Sequence, residues 1–200
     1  MTDVAQPHPA IDPEPPALQE RNTWVGARLL VSSTIFLFLP FVFGYLYLAT
    51  LNTGGLWRPG DLKGPLDWGL PIMLALLVAA GLFAWARSEL AAGNDGRFRW
   101  YSVAALVVGL AAVVLQGIEY SQLGFGPTDG GFASVFVGWT GLLAVVVLLT
   151  MLWLETVVAS SFRNGSRSPG SSQTDVDAVF FYLAFLAILG AFTFAFLYLV

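Results

Sequence analysis

Five long apolar runs, separated by short polar segments, constrain this chain more than any other feature of its sequence. The runs cover about residues 25–50, 70–86, 101–118, 132–154 and 178–200. Each run approaches or exceeds the ~20 residues that a helix needs to cross the hydrocarbon core of a bilayer. Backbone N–H and C=O groups must be hydrogen-bonded within the segment where no water is present, so such runs form helices. The sequence therefore predicts an all-α, polytopic membrane protein built as a bundle of five transmembrane helices.

The composition agrees with a membrane protein and argues against several kinds of site. Only 11% of the residues are charged, whereas soluble domains carry about 25%. Cysteine is absent, and the single histidine, His8, lies in a polar segment. Haem, copper and zinc sites usually need imidazole or thiolate ligands, so we expect no metal and no cofactor in this chain. The sequence also has no run of basic residues that would indicate a nucleic-acid partner.

The segment before the first run, residues 1–24, is polar and rich in proline. This composition is typical of a disordered segment, because it offers too little apolar surface to bury. We therefore predict a disordered cytoplasmic tail followed by a five-helix domain over residues 25–200. Two roles stay open for the tail: a solvated leader without a specific contact, and a docking segment for a partner subunit.

The distribution of arginine and lysine predicts the orientation of the helices. With five spans, the side that holds the amino terminus carries seven basic residues, which are Arg21, Arg28, Arg87, Arg97, Arg99, Arg163 and Arg167. The other side carries Arg58 and Lys63. Because basic loops stay in the cytoplasm, we expect a cytoplasmic amino terminus and an external carboxyl terminus, in the plasma membrane of a prokaryote.

Glu119 is the main candidate for a functional side chain, because it lies at the predicted end of the third helix. A carboxylate near the membrane interior is costly, so it normally pairs, faces protein or reaches the interface. Gln116 and Tyr120 are its nearest hydrogen-bonding neighbours, and Gln116 lies on an adjacent part of the same helix face. Three roles stay open for Glu119: a carboxylate that reaches the interface or pairs with a basic residue, a contact that holds helices or a second chain together, and a group that moves protons.

Two other charged residues are interpreted as structural. Arg28 enters the first helix, and we expect its guanidinium to extend to the cytoplasmic interface. Glu155 ends the fourth helix, with Arg163 near in sequence as an ion-pair partner. These residues form no catalytic triad, phosphate-binding loop or pair of catalytic carboxylates. We therefore expect no active site in this chain by itself.

The order and spacing of several motifs over residues 25–200 resemble subunit III of the haem–copper oxidases, the group of cytochrome c oxidases and bo-type ubiquinol oxidases. The third helix closes on Gln116-Gly117-Ile118-Glu119-Tyr120, which is similar to the family's Q/E-x-x-E-Y/F ending. A glycine-containing loop over residues 124–127 and the segment 131–136 are similar to the start of the family's next helix. Three further positions match the residue types that the family usually carries, namely Gly141, Trp153 and Tyr198.

The chain departs from this family where the family usually buries ionisable side chains. The family has an acidic residue in this first helix, two histidines in the fourth, and a histidine and an aspartate in the last. Those positions are held here by Thr34, Leu143, Val146, Ala184 and Ala187. Glu119 is the one such group that this chain keeps. A role in buffering protons would need the missing groups, whereas packing and lipid binding would not.

The resemblance implies a non-catalytic core subunit. In the family, subunit III packs beside the catalytic subunit I, encloses phospholipid in a cleft between its first two helices and the other three, and supports sustained proton pumping. Haem and copper are then expected in partner subunits, where oxygen is reduced to water. The expected partners are oxidase subunits I and II, membrane lipids and, as an open alternative, a bc1-type supercomplex.

Two other functions stay open at the level of the sequence. The small accessory subunit of nitric oxide reductases has the same helix plan. A stand-alone membrane carrier or an assembly factor would also be a polytopic helical protein. A carrier should act without partners, whereas an oxidase subunit should co-purify with a haem protein.

Overall fold

The computed structural model describes residues 15–52, 54–163 and 171–199 of the 200-residue chain. Within these ranges the chain forms long helices and no strand. The helices are α1 (Pro16–Thr50), α2 (Leu66–Ala91), α3 (Asp95–Gln122), α4 (Gly131–Arg163) and α5 (Ser171–Phe194). All five are long and apolar enough to cross a membrane. The predicted all-α bundle of five membrane-spanning helices is confirmed.

The helices extend beyond the apolar runs that predicted them. Because α1 begins at Pro16, the prediction of a disordered tail is wrong for residues 16–24, while residues 1–14 lie outside the described part of the chain. Proline is favoured at the first helical position, and Ala17 to Arg21 are good helix formers. Hydropathy misses such polar turns, because it detects only the part of a helix that lies in the hydrocarbon core.

α1 packs on the rest of the bundle in a way that the resemblance did not imply. α2 lies along α3 and also contacts α5, whereas α1 packs on α4 and α5. The expected cleft between the first two helices and the other three is therefore absent from the described bundle, because α1 and α2 do not pair as a separate unit.

Small residues allow α3 to approach α4 closely. Ala105 of α3 is completely buried. One turn further on, a Cβ atom at Gly109 would overlap the side chain of Met151 in α4. Without a hydrophobic driving force between helices in lipid, close packing of this kind is a main source of association. Ala105 and Gly109 therefore let α3 lie close to its neighbours along the buried face that also carries Glu119.

The loop between α1 and α2 folds back onto the start of α4. The backbone N–H groups of Gly131 and Phe132 donate to the carbonyl oxygens of Leu56 and Trp57, at 3.2 and 2.9 Å. These bonds satisfy two of the N–H groups that a helix start leaves without an intrahelical partner. Arg58 lies over the Phe132 ring, 4.3 Å from its centre. The loop therefore fixes the beginning of α4 against its own backbone and the Arg58 side chain.

Candidate functional site

Glu119 is completely buried in the bundle. Its Oε1 atom accepts a hydrogen bond of 2.8 Å from the Tyr198 hydroxyl, and its Oε2 atom accepts one from the Gln116 amide. Each carboxyl oxygen thus has a donor, as buried polar groups normally do. The alternative in which Glu119 reaches the aqueous interface does not hold, because the residue has no exposed surface in the bundle.

Tyr198 reaches Glu119 from the far end of the chain. α5 continues as one π-helical turn, Ala195–Leu199, and this turn carries the tyrosine. The Tyr198 ring packs edge-to-face on Phe136 of α4, with 5.2 Å between ring centres. A Cβ atom at Gly69 of α2 would also overlap the ring. Tyr198 therefore contacts α2, α3 and α4 while its own backbone belongs to the end of α5.

Tyr120 follows Glu119 in sequence but bonds to a different helix. Its hydroxyl lies 2.7 Å from Thr140 Oγ1 and donates to the carbonyl oxygen of Val137 at 3.2 Å. Both partners belong to α4. Consecutive residues of an α-helix point about 100° apart, so Glu119 holds α3 to α5 while Tyr120 holds α3 to α4. The structure brings Gln116 and Glu119 together and directs Tyr120 to a neighbouring contact.

Arg28 and Glu155 lie outside this cluster. Both side chains are exposed, and neither forms an ion pair with a described residue. The side chain of Arg163 lies outside what the structure describes, so the ion pair of Glu155 with Arg163 stays a prediction. Their exposure on the outside of the helices agrees with a structural role at the membrane interface.

Tyr198 is the functional residue that sequence reasoning missed. The resemblance identified it only as part of the end of the last helix. Trp139 of α4 is a second polar aromatic residue that joins two helices. It is completely buried, and its indole N–H donates to Thr193 Oγ1 in α5 at 2.9 Å. A polar aromatic residue in an apolar run was the available signal, since a buried tyrosine hydroxyl or indole N–H normally needs a partner.

The positions where the family usually carries ionisable side chains make apolar or hydroxyl contacts here. Thr34 is buried, and its Oγ1 atom lies 2.8 Å from the Tyr182 hydroxyl of α5. Leu143, Val146 and Ala187 are buried among the helices. Among the described residues, no three side chains of histidine, cysteine, aspartate or glutamate come together as a metal site would require. The cluster around Glu119 can hold helices together, but it offers no metal centre.

A groove of about 330 Å³ lies between α1 and α4, with Tyr182 of α5 contributing to its lining. Its other lining residues are mainly apolar and are Leu30, Ser33, Thr34, Leu37, Val146, Leu149, Thr150 and Trp153. Leu149 is 59% exposed, so the groove is open on the outer surface of the bundle. An apolar groove that opens on a membrane-facing surface has the chemistry to accept a lipid acyl chain.

A family model described as "Cytochrome c oxidase subunit III" matches residues 17–200. Curated relatives carry the corresponding description, "Cytochrome c oxidase subunit 3". The Pylaiella littoralis protein is 29% identical over 135 residues, which are 65% of this chain and 50% of the relative. The Triticum aestivum protein is 30% identical over 135 residues, 64% of this chain and 51% of the relative. The Yarrowia lipolytica protein is 30% identical over 142 residues, 64% of this chain and 52% of the relative. The chain spans about half the length of the curated relatives it matches.

Proposed function

Because the chain belongs to the cytochrome c oxidase subunit III family, we propose that it is a non-catalytic subunit of a respiratory haem–copper terminal oxidase. The observation that carries this proposal is the family match, which extends over all five helices. In the proposed complex, subunits I and II hold haem and copper and reduce oxygen to water. This chain packs against subunit I and stabilises the complex that pumps protons.

The side chains available in the chain support this division of roles. The sequence contains no cysteine and one histidine, His8, outside the five helices. Two of the buried polar side chains join helices to one another: Glu119 joins α3 to α5, and Thr34 joins α1 to α5. The outer faces are apolar, as on α1 where Phe36 and Phe43 are 72% and 68% exposed. Such faces suit contact with lipid and with the apolar helices of a partner subunit.

Co-purification tests the proposed function. Gentle detergent extraction of the tagged chain is expected to yield a complex with the visible absorbance of a haem protein and with oxygen consumption. The haem types in the complex separate a terminal oxidase from a nitric oxide reductase. A pure, colourless and monodisperse chain would contradict the proposal and favour a stand-alone carrier or an assembly factor.

The lipid role is proposed for the groove between α1 and α4. Its lining is largely apolar, and it opens on the surface that faces the bilayer. A phospholipid acyl chain in this groove would cover Thr34 and Tyr182, whose hydroxyl groups already bond to each other. The lipid would fill space between α1 and α4, so it would contribute to the stability of the bundle.

Replacing Ser33 by phenylalanine is expected to fill part of the groove and to lower the number of tightly bound phospholipids by about one per chain. The matched control is Ser32→Phe, since Ser32 is also exposed but does not line the groove. Mass spectrometry of the intact purified complex measures the bound lipid. Equal lipid retention in the two variants would count against the groove as a lipid site.

The chain is a multi-pass membrane protein, and we propose that its amino terminus is cytoplasmic, in the plasma membrane of a prokaryote. The bias of seven basic residues against two supports this orientation. Three of the seven, Arg87, Arg97 and Arg99, lie on either side of the turn from α2 to α3. The loop from α1 to α2 would then face the outside of the cell.

Cysteine labelling tests the orientation, because the native chain has no cysteine of its own. A thiol reagent that does not cross membranes is expected to label Lys63→Cys in intact cells, and the Lys63 side chain is 68% exposed. Gly96→Cys, in the exposed first turn of α3, should react only after lysis. Labelling of Gly96→Cys in intact cells would reverse the proposed orientation.

A further inference from the structure

Three arginines lie where α2 turns into α3, and ion pairs neutralise two of them. Arg87 Nε lies 2.5 Å from a carboxylate oxygen of Asp177 in α5. Arg97 lies 3.6 Å from Glu89. Arg99, by contrast, forms no ion pair with a described residue. Arg99 therefore lacks a close counter-ion among the described residues.

Arg99 lies at the seam between α3 and α4. Its guanidinium carbon is 5.3 Å from the centre of the Phe162 ring, near the end of α4. The side chain is partly buried, and its Nε atom is buried without a hydrogen-bond partner among the described residues. Buried donors in native proteins normally have an acceptor. A partner that supplies acceptor oxygens and negative charge would satisfy this group.

Ser102 of α3 also carries a polar atom without a described hydrogen-bond partner. It is completely buried, and its Oγ atom has no partner among the described residues. Residues three apart lie on neighbouring parts of one helix face, so Ser102 lies one turn beyond Arg99. Because Ser102 is completely buried, a ligand on the surface of the bundle can reach Arg99 but not Ser102.

Exposed tryptophans mark the membrane depth of this seam. Trp100, next to Arg99, is 78% exposed, and Trp85 of α2 is 60% exposed and stacked on Tyr101. Tryptophan is enriched at the level of the lipid headgroups. The guanidinium of Arg99 therefore lies at the depth where phospholipid phosphates lie.

We propose that Arg99 binds the phosphate of an anionic phospholipid at the seam between α3 and α4. A guanidinium matches phosphate oxygens with two parallel hydrogen bonds. An anionic headgroup balances the charge of Arg99, whereas a zwitterionic headgroup brings a cation of its own. This site is separate from the groove between α1 and α4, and it does not depend on the proposed oxidase function.

Competitive lipid binding to the full-length chain tests this site. The chain is purified in detergent, mixed with equal amounts of phosphatidylglycerol and phosphatidylcholine, and examined intact by mass spectrometry. The wild type is expected to retain phosphatidylglycerol preferentially, and Arg99→Gln to retain about ten-fold less of it. Arg99→Lys, which keeps the charge, is expected to keep part of the preference.

The matched control is Arg97→Gln, which removes an arginine two positions away whose side chain is 70% exposed and already faces Glu89. It is expected to bind phosphatidylglycerol like the wild type. Equal retention by the wild type and Arg99→Gln, no preference in the wild type, or an equal loss in Arg97→Gln would overturn the proposal. Inorganic phosphate is expected to leave the bound lipid in place; displacement by phosphate would assign the site to the free anion and overturn the lipid proposal.

Discussion

Replacing Glu119 by leucine is expected to destabilise the helix bundle by about 2–4 kcal/mol. The change leaves two buried donors, the Tyr198 hydroxyl and the Gln116 amide, without their acceptor. Interhelical and other buried hydrogen bonds in membrane proteins are each worth about 1–2 kcal/mol at most, and a buried donor without a partner adds a penalty of similar size. The thermal unfolding midpoint of the purified chain and the yield of assembled complex measure this effect.

Glu119→Gln is the matched control, because it keeps the shape of the side chain and one acceptor oxygen. It should retain one of the two hydrogen bonds and therefore lose about half as much stability. If Glu119 holds helices together, complexes that do assemble with either variant should pump protons at the wild-type ratio. A normal unfolding midpoint in Glu119→Leu would reject the structural role. A lowered pumping ratio in a fully assembled Glu119→Gln complex would instead favour the role in proton movement.

The sequence predicted the part of this cluster that depends on a single helix. Gln116 and Glu119 lie three residues apart, so their proximity follows from helix geometry once α3 is recognised. Tyr198 lies 79 positions from Glu119, and hydropathy contains no information about which helix ends meet. Its placement depends on the π-helical turn at the end of α5 and on space that Gly69 leaves in α2. Both are properties of tertiary packing.

The sequence also does not predict where the helices end or which helices α1 packs against. Apolar runs indicate where a helix is covered by hydrocarbon, so hydropathy assigns residues 16–24 to a disordered tail although they form the first turns of α1. The faces of α1 that contact α4 and α5 are no more apolar than its other faces, because lipid is as apolar as a neighbouring helix. A chain whose helices are hydrophobic all round therefore gives little indication of which helices pair.

Gly69→Ala is expected to destabilise the bundle by about 1–3 kcal/mol, although alanine is normally the better residue in a helix. A Cβ atom at this position would overlap the Tyr198 ring. The ring also contacts Phe136 and Phe194 and bonds to Glu119, so it has little freedom to move away from an added methyl group. The same substitution at Gly81, also in α2, is the control, since nothing lies within 4 Å of the added Cβ there. The unfolding midpoint should fall for Gly69→Ala and stay within a few degrees for Gly81→Ala.

A double variant tests whether Gly69→Ala destabilises the bundle through its contact with Tyr198. Tyr198→Ala by itself should cost about 3–5 kcal/mol, because it removes a large buried ring and a donor to Glu119. In that background the space beside Gly69 is open, so the added methyl group should cost little, and the two effects should be clearly non-additive. Additive losses would mean that Gly69 contacts something other than the ring in the folded chain. An unchanged midpoint in Gly69→Ala alone would mean that the end of α5 is not fixed against α2, and that Glu119 is held by Gln116 without the tyrosine.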